Sequence, residues 1–369
     1  FFSVPISAHT PYYYSDCGTF ERAINQYAIP LLQLLCLAGN FSNLLIYRLP
    51  YFDGSASVHF LRAKAIANII FVQSRIFEVI HAWTIQPDVY FEPIYWKTKP
   101  YLMTIANISG TISTWMTLLV TIETVLCVLL PFAFRHYCTR KLSVVLLISS
   151  FLISSGVHLT FIFTHVVEAS PAFLEFKFDS VPCYWFVKAY SMHIINDQAY
   201  KLYEKLYYWT QMALSIVLPT VTMLICSILV ITRFTFKELG KSFSQRRRCV
   251  IMMTVSTTMS HLLLEGPASL TFGIAAIKGT GDMKINSTMC MINHSNNLLS
   301  IINATIPFFV YLICNKQFRC MASVFITAMC STNPSHKRIL LAQACARTRS
   351  ITTRRTERKT SLVQLTYRS

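Results

Sequence analysis

Residues 117–132 read TLLVTIETVLCVLLPF, a run of leucine, valine and isoleucine broken by one carboxylate, Glu123, with Thr124 beside it. The run suits hydrocarbon, and a charge in hydrocarbon is costly, so what surrounds Glu123 decides the reading. The same composition recurs outward in both directions. The 369-residue chain is 53% hydrophobic and only 13% charged, against roughly 25% charged in soluble domains. Crossing about 30 Å of hydrocarbon takes about 20 residues, and runs of that kind fall at 27–49, 60–83, 101–130, 143–166, 206–233, 249–277 and 295–314. The expected fold is an all-α membrane protein, a seven-transmembrane helix bundle, although Arg75 and Glu78 interrupt the second run and Asn296, Asn297 and Asn303 the seventh.

Seven spans put the termini on opposite sides. With the N-terminus outside, 23 of the 33 Lys and Arg face inward: Arg48, Arg62 and Lys64, then Arg135, Arg140 and Lys141, then a third-loop cluster ending Arg246-Arg247-Arg248, then the tail. The positive-inside bias therefore predicts a multi-pass plasma-membrane protein with an extracellular N-terminus and a cytoplasmic C-terminus. It also accounts for the net charge of +17 without a nucleic-acid partner, and a basic tail attracts anionic membrane lipid. The chain begins at Phe1, and no charged region with a cleavage site precedes the first span, so no signal peptide is expected. The divisions are an extracellular segment 1–26, a bundle 27–327 including a short eighth helix, and a flexible basic tail 328–369.

Of twelve cysteines, Cys17, Cys183 and Cys290 fall in outer segments. Three thiols allow at most one bridge within a chain, and the sequence does not choose the pair. Cys320 and Cys330, just past the last span, are candidate lipidation sites, with spare thiols the equal alternative. Asn286-Ser-Thr and Asn293-His-Ser are glycosylation sequons on the third outer loop. His81, His158 and His165 read as polar packing residues. No metal-ligand spacing and no nucleophile constellation is seen, so neither an enzyme nor a cofactor or metal site is expected.

Ile122-Glu123-Thr124-Val125, followed by Pro131-Phe132, resembles the end of the third helix and the second inner loop of rhodopsin-like G-protein-coupled receptors. There an acid, an arginine and an aromatic are followed by a proline. Glu123 keeps the acid of that inner lock and Pro131 the proline, while Thr124 stands in the arginine's place. The resemblance extends over 27–327. Gly39-Asn40 resembles the first-helix pair. The stretch LRAKAIAN, 61–68, resembles the second-helix motif with Asn68 for its usual aspartate. Pro219 and Pro267 resemble the prolines of the fifth and sixth helices. Asn303 through Pro307 to Tyr311 resembles the seventh-helix motif, and Lys316-Gln317-Phe318-Arg319 the eighth helix, where Phe318, Met321 and Phe325 share a face expected on the bilayer. Lys99 occupies the place of the usual third-helix cysteine, so Cys183 lacks its usual partner. The resemblance implies coupling to a heterotrimeric G protein, with Glu123, Thr124, Pro131, Pro267, Pro307 and Tyr311 as activation and coupling residues. Thr124 puts that coupling in question.

Leu264-Glu265-Gly266-Pro267 and a long tyrosine-rich second outer loop resemble invertebrate FMRFamide-type neuropeptide receptors. Ala106 replaces the aspartate of amine receptors, and Ile301 the retinal-binding lysine of opsins. At 1.5 Å rise per residue, Glu265 and Arg75 lie about 24 Å and about 22 Å from the inner ends of their helices. Glu78 follows Arg75 by one turn. Arg75, Glu78 and Glu265, with Asn107 and Trp185, are the candidate ligand-binding residues. They would receive an amidated arginine-aromatic peptide, since guanidinium and carboxylate match geometrically. In the structural alternative Arg75 and Glu265 neutralise one another. Other readings are a chemosensory receptor for small molecules, and a ligand-binding receptor with weak or absent coupling.

Overall fold

The computed structural model describes residues 16–49, 56–84, 90–130, 138–178, 181–194, 198–236, 245–278 and 287–330. Helical spans run at 16–47, 56–83, 91–129, 140–164, 198–236, 245–278 and 287–314, followed by an eighth helix, Lys316–Cys330. They form the seven-helix bundle of a multi-pass membrane protein. Five are long and apolar enough to cross a membrane unaided, and the seventh qualifies as a bent pair, Ser287–Thr305 and Pro307–Ile313, at 54°. The sixth span fails that test because Gln245–Glu265 is laden with threonine, serine and His261, and its side chains Thr254, Thr257, Thr258 and His261 are buried. Polar groups turned into the bundle make a helix less hydrophobic without exposing it to lipid.

The breaks follow from backbone chemistry. Proline lacks an N–H and crowds the carbonyl four residues back, so the ladder upstream must rearrange. Pro30 is preceded by a π-turn at Ile24–Ala28, and Pro219 by one at Met212–Val217. The sixth span breaks at Gly266-Pro267 and the seventh at Ile306, ahead of Pro307. The second breaks without proline, at Ser74-Arg75, where the Ser74 hydroxyl donates to the Phe71 carbonyl at 2.8 Å.

The third span, Phe91–Leu129, is the hub. Its most apolar stretch is 61% buried, against 22–39% for the others that qualify. Glu123 is among its buried residues.

Between the fourth and fifth spans the chain forms an antiparallel hairpin, β1 (His165–Phe178) with β2 (Val181–Ile194), in register from His165 opposite Ile194 to Phe178 opposite Val181. The long tyrosine-rich loop is thus a two-stranded ribbon, and the fourth span ends at Thr164. We call this the hairpin end of the bundle and the opposite one the tail end.

One boundary and one helix face differ from expectation. Residues 16–26 are not a separate segment but the first turns of the first span. There Arg22 donates to the carbonyls of Ala82 (3.1 Å) and Thr84 (3.3 Å), and Gln26 to that of Ala82 (2.5 Å). The face of the eighth helix expected on lipid is turned inward: Phe318 and Met321 are buried and Phe325 packs with them against Ile46, Tyr47, Val58 and Tyr311. The Phe318 ring centroid lies 5.4 Å from Tyr311 and 6.0 Å from Phe308.

Candidate functional site

The charged side chains of the hairpin half do not assemble as their matched depths suggested. Arg75 Nη1 pairs with Glu78 Oε2 at 3.1 Å on its own turn, with the guanidinium carbon 5.9 Å from the Phe71 ring centre. Glu265 is held instead from the seventh helix, accepting from Ser300 Oγ at 2.8 Å and Asn303 Nδ2 at 3.2 Å. Asn303 also stands 3.1 Å from His261 Nδ1. The proposed mutual neutralisation of Arg75 and Glu265 is therefore corrected: each is satisfied elsewhere. Glu265 is partly open, neither buried nor exposed. It sits at the break before Gly266-Pro267.

Elsewhere in the bundle, the third, fourth and fifth helices share a hydrogen-bonded knot. His158 uses both ring nitrogens, Nε2 to Thr111 Oγ1 and Nδ1 to Tyr207 Oη, each at 2.9 Å. Thr111 reaches Ser215 at 3.2 Å, and Asn107 Nδ2 donates to Tyr207 Oη at 3.5 Å. Asn107 thus joins the fifth helix and lies apart from Arg75 in the contact network. His158 behaves as the expected polar packing residue. His81 bonds Glu92 at 3.1 Å and stacks on Tyr95 at 4.0 Å.

At mid-depth lies a cation that sequence reasoning misassigned. Lys64 was counted with the inner loops, but it is buried in the second helix, Nζ donating to Thr117 Oγ1 at 2.6 Å and reaching Ser113 Oγ at 3.5 Å. Ser113 donates to Asn68 Oδ1 at 2.6 Å, Asn68 to Asn40 Oδ1 at 3.2 Å, and Asn40 to the Ala304 carbonyl at 2.9 Å. Four helices are tied by this chain. Lys64 and Glu265 lie within electrostatic reach of one another. The signal was present: Lys64 precedes Asn68 by one helical turn, which places both on one face.

Toward the tail end Glu123 is 3% exposed. Neither carboxylate oxygen has a well-formed hydrogen bond among the described residues, although Ser57 stands beside them. Thr124, the residue in place of an arginine, donates to the Val120 carbonyl at 2.7 Å and lies 3.2 Å from Thr254 Oγ1 on the sixth helix. One turn deeper, Thr121 and Thr258 hydroxyls meet at 2.8 Å, and Thr257 meets the Tyr311 hydroxyl at 2.8 Å. The sixth helix is thus joined to the third and the seventh by neutral hydroxyl pairs.

Of the remaining sequence-stated positions, Cys17 and Cys290 form a disulfide. Cys183 and Trp185 lie on β2, their side chains outside the described set, as is that of Cys330. Pro131 and Asn286 lie outside the described residues. Asn293 is not on a loop, as its sequon suggested, but within the helix Ser287–Thr305. Cys320 is exposed.

A seven-helix bundle with kinked sixth and seventh spans, a polar spine and a buried acid at the end of the third helix defines a receptor of the G-protein-coupled class. A family model for the serpentine type 7TM GPCR chemoreceptor Srw matches residues 56–328, and the chain belongs to that family. It is a family of receptors, not of enzymes, and its general partners are an extracellular ligand and a G protein. No curated protein matches the chain.

Proposed function

We propose that this chain is a plasma-membrane receptor, hairpin end and N-terminus outside, for an amidated arginine-aromatic peptide whose guanidinium is received by Glu265. The observation that carries the reading is the division of charges in the hairpin half. Arg75 is neutralised by Glu78 on its own helix, whereas Glu265 rests on neutral donors, Ser300 and Asn303, and stays partly open. Two donors behind a carboxylate hold it aimed, the preorganisation that a bidentate cation exploits. The orientation rests on the positive-inside bias, which Lys64, as a buried residue, no longer supports but which the remaining inward cations do.

A second reading is favoured by the family description, a chemoreceptor: the ligand is a small cationic molecule and no peptide. Saturable binding of a labelled pool of amidated peptides to cells bearing the chain, with and without Glu265→Gln, separates the two at matched surface expression. Binding that Glu265→Gln weakens supports the peptide reading. Absence of peptide binding together with displaceable binding of small amines moves the assignment to the second. Peptide affinity unchanged by Glu265→Gln removes Glu265 from the site.

A further inference from the structure

At the hairpin end the first and seventh helices face one another with four side chains of metal-ligating chemistry. The first helix carries Cys17 and, one turn on, Glu21; the seventh carries Cys290 and, one turn on, His294. The Cys17, Cys290 and His294 ligand atoms lie within 4.8 Å of one another. His294 Nε2 stands 3.5 Å from Glu21 Oε2. The two sulfurs are joined as a disulfide, and both cysteines are buried, at 2% and 5% exposure. The imidazole and carboxylate, 19% and 25% exposed, form the open side of the cluster.

Cysteine and histidine or carboxylate at i and i+4 project from one helix face, so each helix presents a pair. Two such pairs, opposed, give two sulfurs, one nitrogen and one oxygen. Zinc takes these donors tetrahedrally at about 2.3 Å to sulfur and about 2.0–2.2 Å to nitrogen and oxygen, which sets neighbouring ligand atoms about 3.3–3.8 Å apart. The His294 to Glu21 separation already has that value. Between the His294 nitrogen and the sulfurs, at most 4.8 Å, about 1.5 Å of closure or less is needed; Glu21 joins from the His294 side, and the sulfurs must separate once their bond is cut.

We propose that this cluster is a redox-conditional zinc site: a disulfide clasp when oxidised, and a four-ligand zinc clasp between the first and seventh helices when reduced. In the first step two equivalents of a thiol reductant are oxidised to their disulfide. Two electrons cleave the Cys17–Cys290 bond, and the two thiol protons pass to the two sulfurs. In the second step a zinc ion displaces those protons to solvent and forms two Zn–S bonds, while neutral His294 Nε2 and the Glu21 carboxylate donate lone pairs. Either state ties the same two helices. The proposal is independent of which ligand Glu265 receives.

The test uses the purified full chain in lipid nanodiscs, folded with its disulfide intact and then reduced with a water-soluble phosphine, which does not compete for metal. Zinc retained after dialysis is counted, and cobalt is used as a spectroscopic stand-in. Expected is one zinc per reduced chain above the oxidised chain, with cobalt-thiolate charge-transfer absorption and tetrahedral visible bands. His294→Ala and Glu21→Ala, which leave the disulfide available during folding, should each weaken zinc at least tenfold. The Cys17→Ser/Cys290→Ser variant should lose the bound equivalent, which separates this site from other thiols. The inference is overturned if reduced chain holds no zinc beyond that double variant, or if His294→Ala leaves affinity unchanged. Unfolding of the reduced chain that zinc does not reverse also overturns it, since the site requires both helices in place.

Discussion

Replacing Thr121 and Thr124 together by valine should raise ligand-independent signalling. Valine keeps the shape of threonine and removes the hydroxyl, so the third helix would lose its pairs with Thr258 (2.8 Å) and Thr254 (3.2 Å) on the sixth. A neutral hydrogen bond contributes about 0.5–1.5 kcal/mol net, and the 3.2 Å pair is at the long end for two hydroxyls, so the double change removes roughly 1–3 kcal/mol from the closed arrangement. When the sixth helix swings outward at this end, the motion expected of the receptor class, those hydroxyls meet water or the G protein and the substitution costs little. The difference falls on the closed state, and the equilibrium moves toward the open one by roughly 5- to 150-fold. The assay is nucleotide exchange on G protein with no ligand added, normalised to receptor number, with the distance between spin labels on the third and sixth helices as a readout that does not depend on coupling. A double-mutant cycle between Thr124→Val and Thr254→Val should give a coupling of about 0.5–1.5 kcal/mol. Unchanged helix separation and unchanged basal exchange in a double variant that melts like the parent would refute the latch.

Two further outcomes rest on single observations. A Cβ at Gly266 would lie 2.6 Å from the Leu262 carbonyl oxygen, a backbone atom that cannot step aside, so Gly266→Ala should destabilise the chain by about 1–3 kcal/mol and lower its melting temperature in nanodiscs. An unchanged melt would mean that the kink is free to readjust. Lys64→Met and Glu265→Gln should each lower stability, and the combination should lower it by less than their sum, because each single change leaves the other group's charge without its distant counterpart. Strict additivity in thermal melts would show that Lys64 and Glu265 do not sense one another.

The apolar runs made the seven spans legible, and prolines stand at four of the five interruptions described. The break at Ser74-Arg75 was hidden because it is made by a serine hydroxyl competing for its own backbone, an event with no compositional signature. The hairpin was hidden because a tyrosine-rich stretch between helices reads as loop. At the site, residue type was legible but partnership was not. Arg75 and Glu265 have matching depth, yet depth along an axis leaves rotation about it free, and rotation set each toward a neighbour on its own or an adjacent helix. Lys64 was lost because a lysine near a helix end is ordinarily solvated, and its inward direction shows only once its phase with Asn68 is followed. Phe318 and Met321 formed an apolar face, and composition does not say whether such a face meets lipid or protein; Tyr311 decides it here.

The answer to what a lone carboxylate does in an apolar helix follows from what replaced its expected arginine. An acid beside an arginine forms an ionic lock whose opening must separate charges in a medium of low dielectric constant, which is costly. Here Thr124 carries no charge, Glu123 is buried beside Ser57, and the third and sixth helices are held by hydroxyls. A closed state secured by two or three neutral bonds lies only a few kcal/mol below the open one. A ligand moving a two-state population from 1:99 to 99:1 needs about 5.5 kcal/mol of differential affinity, and a weaker latch lowers that requirement by the difference in resting population. On the ligand reading proposed above, one charge-assisted contact at Glu265, worth about 1.5–3 kcal/mol, would supply a large part of it. In that case the missing arginine sets the threshold of the switch, and does not abolish it.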